Sequence, residues 1–155
     1  METFFNNYST FIVFLHVLSA AIWVGGMIAI RVAVHPSLQL IDDPKIKLGK
    51  TLEIMGRLFN LVMPFILILI ATAVVLELGL HLKGATVHIK ETIWTVMTIN
   101  YIYMYYKRSR AQKLFNSGKL PEAKAQVKLL PNILLPLNVV LGLIAIVLGV
   151  MLRGL

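Results

Sequence analysis

Charged side chains are absent from four stretches of the chain, residues 3–30, 58–76, 92–106 and 129–152. A helix needs about 20 apolar residues to cross the ~30 Å hydrocarbon core of a membrane. The first, second and fourth stretches meet that length. The third falls short by about five residues, so its helix must draw in flanking polar positions. These are His88, Lys90 and Glu91 at one end and Lys107 at the other. Ionisable groups are thereby held at membrane depth. The pattern predicts an all-α chain: an integral membrane bundle of four transmembrane helices over residues 8–34, 55–80, 87–110 and 130–153, in a single domain spanning 1–155. No basic segment precedes the first stretch and no small-residue cleavage site follows it, so it is expected to remain as a span.

Composition agrees with the pattern. The chain is 58% apolar and 14% charged, against about 45–50% and about 25% for an ordinary soluble domain. That leaves too little polar surface to coat a water-soluble globule. The absence of cysteine removes disulfide scaffolds, thiol nucleophiles, iron–sulfur clusters and thiolate zinc sites. A net charge of +8 in so apolar a chain reads as basic loops facing anionic lipid headgroups, not as a nucleic-acid surface.

The basic residues also set an expected orientation. Lys45, Lys47, Lys50 and Arg57 follow the first stretch, with Arg31 at its end, and Lys107 to Lys128 fill the third connection. The second connection has only Lys83 and Lys90. The positive-inside rule then places the first and third connections in the cytoplasm and both termini outside.

Two histidines fall in the outer half of the membrane on this reading. His16 shares a helical face with Ala20, Trp23, Met27 and Ile30, whereas Ala21, Gly25, Ala29 and Ala33 form a small-residue stripe on the opposite face. That stripe is suited to close approach of another helix, including one from a second protomer. His88 shares a face with Thr92, Thr95 and Ile99, and this polar face is expected to look into the bundle. Two imidazoles at similar depth on facing helices are suited to clamping one iron, and imidazole also suits copper and zinc. His35 lies roughly 28 Å along a straight helix from His16 and cannot share its metal. Lys90 points about 160° from His88 at 100° per residue, so both cannot face one bundle centre. The methionines beyond Met1 are scattered singly, without paired copper-type spacing.

Several of these segments occur together in a known pair of families. Leu15-His16-Val17-Leu18 with Trp23-Val24-Gly25-Gly26 resembles the first helix of the HemJ and CopD membrane families. Arg31 and His35 resemble the Arg and His closing that helix in HemJ-type protoporphyrinogen IX oxidases, with the spacing slightly shifted. Arg57-Leu58-Phe59 with Met63-Pro64 resembles the opening of the next conserved helix, and His88-Ile89-Lys90 its His-x-Lys. Pro131-Asn132-Ile133-Leu134 stands where HemJ proteins carry Asn-Glu-x-Pro, and His35-Pro36 with the paired glycines leans toward CopD.

The resemblance implies a bacterial inner-membrane protein that binds haem b and oxidises protoporphyrinogen IX, passing electrons to a quinone or respiratory partner. His16 and His88 are then the expected metal ligands, with Lys90, Arg31 and Arg57 as further cofactor-binding residues and His35 as a secondary position. Lys83 or Lys90 would pair with the haem propionates. The CopD side of the resemblance implies copper binding or transport instead. A subunit without enzymatic activity, packed on a partner through the small-residue stripe, is the third reading.

Overall fold

The computed structural model describes residues 2–81 and 84–152, with side chains from residue 7 onward. The described residues are almost wholly helical and contain no strand. In chain order the elements are α1 (Glu2–Ala29), a π-helical turn (Ile30–Val34), α2 (His35–Gln39), α3 (Pro44–Gly79), α4 (Ala85–Asn116), α5 (Leu120–Val127), a second π turn (Leu130–Leu134) and α6 (Leu135–Met151).

Local chemistry sets most of the boundaries. Asp43 caps α3 by accepting from the backbone N–H groups of Lys45 and Ile46 at 2.8 and 2.9 Å, with Pro44 in the first helical position. Gly118 takes a positive φ of 75° in the tight turn between α4 and α5. Each π turn precedes a proline, Pro36 or Pro136, that lacks an N–H and crowds the carbonyl four residues back. The helix opens there by one residue: His35 N–H bonds to Ile30 O, and Leu135 N–H to Leu130 O. α1 therefore continues through its π turn into α2, and α5 through the other into α6.

Three helical stretches are long and apolar enough to cross a membrane: Asn7–Gln39, Pro44–Gly79 and Leu120–Met151. α4 is 32 residues long, but its polar residues keep it below that apolar threshold. Outward-facing Phe11, Phe14, Leu67, Val74, Val140 and Val147 leave α1, α3 and α6 with an apolar exterior. Such a surface suits a lipid bilayer and would be a liability in water.

α1 packs chiefly on α3 and α6, and α4 on α3, α5 and α6. α1 and α4 thus stand on a diagonal of the bundle. Between them Trp23 and Tyr101 meet edge-on at 6.2 Å, and Phe59 meets the Tyr101 ring at 5.6 Å. The Tyr101 hydroxyl donates to Phe59 O at 2.6 Å. Tyr101 is therefore core, while Tyr103 and Tyr106 face outward. Asn100 and Asn138 tie α4 to α6: Asn100 Nδ2 donates to Asn138 Oδ1 and to Leu134 O, both at 2.8 Å, and Asn138 Nδ2 donates to Met97 O at 3.0 Å.

Glycines permit the closest crossings. A Cβ at Gly142 would lie 2.5 Å from Val24 Cγ2, and one at Gly56 would run into the Arg108 guanidinium. Gly25, by contrast, has nothing within 4 Å. Gly142→Ala and Gly56→Ala should each destabilise the protein by about 1–3 kcal/mol through overpacking. Gly25→Ala should instead stabilise the single chain by about 0.5–1 kcal/mol, because within it only helix propensity changes. Thermal unfolding in detergent measures all three; equal effects would show that the crossings are not the limiting contacts.

Candidate functional site

His16 sits on the part of α1 that packs against α3. Its Nδ1 lies 3.0 Å from Thr72 Oγ1, near the far end of α3. The threonine hydroxyl hydrogen is already directed to its own helix, with Ile68 O at 2.7 Å and Leu69 O at 3.0 Å. With its hydrogen so directed, Thr72 accepts and His16 donates from Nδ1. That tautomer carries its lone pair on Nε2, the arrangement in which an imidazole ligates a metal while its other nitrogen is held by a protein acceptor.

Further along the same face the side chains of Ser19 and Trp23 are almost wholly buried. Ser19 Oγ and Trp23 Nε1 have no hydrogen-bond partner among the described residues. Buried polar atoms are nearly always paired in folded proteins. The inward face of α1 thus combines an oriented imidazole with unmet hydrogen-bonding capacity.

α4 presents a different face from the one expected. His88 is 75% exposed in its side chain and lies 3.0 Å from the carboxylate of Glu91. Thr92 and Thr95, on the same stripe, are exposed as well. The expectation that this face looks into the bundle is overturned, and the reason is local. Thr92 and Thr95 donate to His88 O and Glu91 O at 2.8 Å, so their hydroxyls need no partner from another helix. The inward face of α4 is Val87, Met97, Asn100, Tyr101 and Met104. Lys90 is half-buried, and its Nζ would be 3.0 Å from a Cβ placed on Gly149, so its stem lies over α6.

The residues at the other end also separate. His35 helps line an apolar cavity of about 10 Å³ with Ile30, Val34, Met55 and Pro131, room for no more than one water. Arg31 is half-buried one turn before it. Arg57 is 80% exposed in its side chain and pairs with Glu53 at 2.9 Å. Lys83 lies outside the described residues. Among the described residues no three His, Asp or Glu side chains come together.

Two interior residues escaped the sequence reading. Thr72 carried a signal, a hydroxyl in an otherwise apolar run, but its partner on α1 was not readable. Arg108 looked like one cation among many in a basic connection. It instead donates from Nε and Nη2 to Leu52 O at 3.0 and 2.9 Å, over the flat surface of Gly56.

These positions decide how a haem would fit. By its donor chemistry His16 would suit one bond to an iron. A haem clamped between His16 and His88 does not fit this arrangement, because the two stand on diagonal helices and His88 turns outward. Trp23, Phe59 and Tyr101 fill the space between those helices.

Comparison of the chain with protein-family models, curated proteins and solved structures gives no match.

Thr72→Val should release the tautomer lock on His16 and cost about 0.5–1.5 kcal/mol of stability. Nitrogen NMR of labelled histidine should show Nδ1 protonated in the parent and a shift toward Nε2 protonation in the variant. Unchanged ring-nitrogen signals would remove Thr72 from the site.

Proposed function

We propose that this chain is a four-span membrane protein that binds b-type haem through His16 Nε2 and serves in redox chemistry. α4 is the fourth span in this reading: its polar threonines are internally bonded, and its charged residues sit toward its ends. The observation that carries the proposal is the His16–Thr72 bond, which directs an imidazole lone pair from a membrane-embedded helix. Ionisable residues at such depth are expensive and generally functional. The unpaired Ser19 and Trp23 atoms on the same face support a ligand nearby. Haem would supply reversible one-electron transfer at its iron; Thr72 holds the ligating ring, and the apolar bundle keeps water from it.

Within that proposal the substrate is protoporphyrinogen IX and the electron acceptor a quinone or respiratory partner, following the resemblance of the first three helices. His88 is not needed for it. The exposed Ala21, Gly25, Ala29 and Ala33 stripe is the surface for a second protomer. Copper draws less support, because Met27, Met55, Met97 and Met104 are packed in the core.

The purified protein should show a Soret band with sharp reduced α and β bands. His16→Ala should remove them while the protein still inserts, whereas His35→Ala and His88→Ala should keep them. A parent protein without haem after supplementation, or a His16→Ala variant with an unchanged spectrum, would sink the proposal. Bound copper without porphyrin would move it to the copper reading.

The same proposal places both termini outside the bacterial inner membrane, since the basic connections lie at the opposite end of the bundle. A periplasm-active reporter fused to the C-terminus should be active and a cytoplasm-active one silent. The reverse result would invert the topology and place His16 in the inner half.

A further inference from the structure

Between residues 107 and 128 the chain is strongly basic. Lys107, Arg110, Lys113, Lys119, Lys124 and Lys128 face one acid, Glu122, while Arg108 is turned into α3. These residues do not form a loose loop. α5 folds back along the end of α4, burying Ala123 and Val127, and Lys107 Nζ donates to Gln126 Oε1 at 3.1 Å. That bond fixes α5 beside α4 at the level of Lys107; Lys124 and Lys128, two residues either side of Gln126, stand near the same level on the opposite flank of α5. Arg110, Lys124 and Lys128 are exposed, and none of these cations is ion-paired among the described residues.

Their level along the helices distinguishes them. Exposed Ile99, Ile102, Tyr103 and Tyr106 form the apolar and aromatic outer surface of α4 just before the basic run, and exposed Leu129 and Ile133 continue past α5. Tyrosines of this kind mark the headgroup level of a membrane. Lys107 lies over the Tyr103 ring, 5.5 Å from its centroid. At 1.5 Å per residue, Arg110 is about 10 Å beyond Tyr103 and Lys113 about 15 Å. Charges act over about 8 Å at physiological salt. Lys107, about 6 Å beyond Tyr103, is inside that range, and Lys128 and Lys124 stand near its level; Arg110 comes within it through the reach of its long side chain, while Lys113 and Lys119, at the far turn, do not.

We propose that Lys107 and Arg110 on α4, with Lys124 and Lys128 on the flank of α5, form a basic rim that holds the phosphate headgroups of anionic phospholipids, whose chains lie along the outward apolar surface beside Tyr103 and Leu129. The occupant follows from charge complementarity and from the continuity of the cations with a lipid-suited surface. The proposal rests on α4 and α6 crossing the membrane, which retention in alkaline-washed membranes checks separately from lipid choice.

The test uses the full chain in nanodiscs of equal phosphatidylcholine and phosphatidylglycerol, released for native mass spectrometry. The parent should retain phosphatidylglycerol in preference to phosphatidylcholine. Each surface cation near a headgroup contributes a factor of about five. An Arg110→Gln, Lys124→Gln, Lys128→Gln triple variant should lower the preference by about tenfold to a hundredfold. A control with Lys45→Gln, Lys113→Gln and Lys119→Gln, which removes the same charge farther away, should keep it. Equal retention of the two lipids overturns the proposal and leaves the surface to a soluble acidic partner. Equal loss in the control overturns it in favour of diffuse attraction. Displacement of phosphatidylglycerol by glycerol phosphate overturns the lipid source, showing a site for soluble phosphates.

Discussion

Every polar group inside this bundle has to find its partner within the chain, and that constraint organises the structure. Apolar surroundings offer no water to an unpaired carbonyl or amide, and leaving one unpaired costs several kcal/mol. Thr92, Thr95 and Thr98 answer it inside one helix, each donating to the carbonyl four residues back at 2.8 Å. Asn100, Asn138 and Tyr101 answer it between helices. The two solutions have different consequences. Internally bonded threonines leave a helix face free to point anywhere, whereas the asparagines and Tyr101 lock α4 against α6 and α3.

Histidine 16 belongs to the second kind, and this is what makes it a candidate for chemistry. Its Nδ1 is committed to Thr72, whose own hydrogen is committed to α3. A chain of donors and acceptors thus turns a flexible imidazole into an oriented one. Ser19 and Trp23 break the rule beside it, with two buried polar atoms left unsatisfied. Among the described residues no other buried side-chain polar atom is left unpaired, so the exception and the oriented ring fall in one place.

The bundle is also longer than a membrane is thick. α3, with 36 residues, extends about 54 Å, against a hydrocarbon core of ~30 Å. The excess carries chemistry at the basic end: Arg108 pinned across Gly56, the Lys50–Glu53–Arg57 cluster, and α5 folded on α4. Cations there are sorted by partner. Arg108 is spent on helix packing and Arg57 on Glu53, whereas those of the α4–α5 pair have no acidic partner among the described residues.

Much of this was legible in the residues. Helix content, the apolar runs, the concentration of Lys and Arg at one end and the place of His16 within the first apolar run all follow from local pattern, because hydropathy and charge act position by position. The face of α4 that turns inward did not follow. Periodicity groups His88, Thr92 and Thr95 on one side but says nothing of which side meets α6, and threonines bonded to their own helix carry no such preference. Small residues elsewhere decided it: Gly142 admits Val24 and Met97, and Gly149 admits the stem of Lys90. The partnership of His16 with Thr72 joins positions 56 apart in sequence, and Arg108 with Leu52 does the same. The sequence by itself determined which segments are helical and apolar and where the charge lies. Only the tertiary structure decided which faces meet, because close packing depends on the shapes of both helices at each crossing.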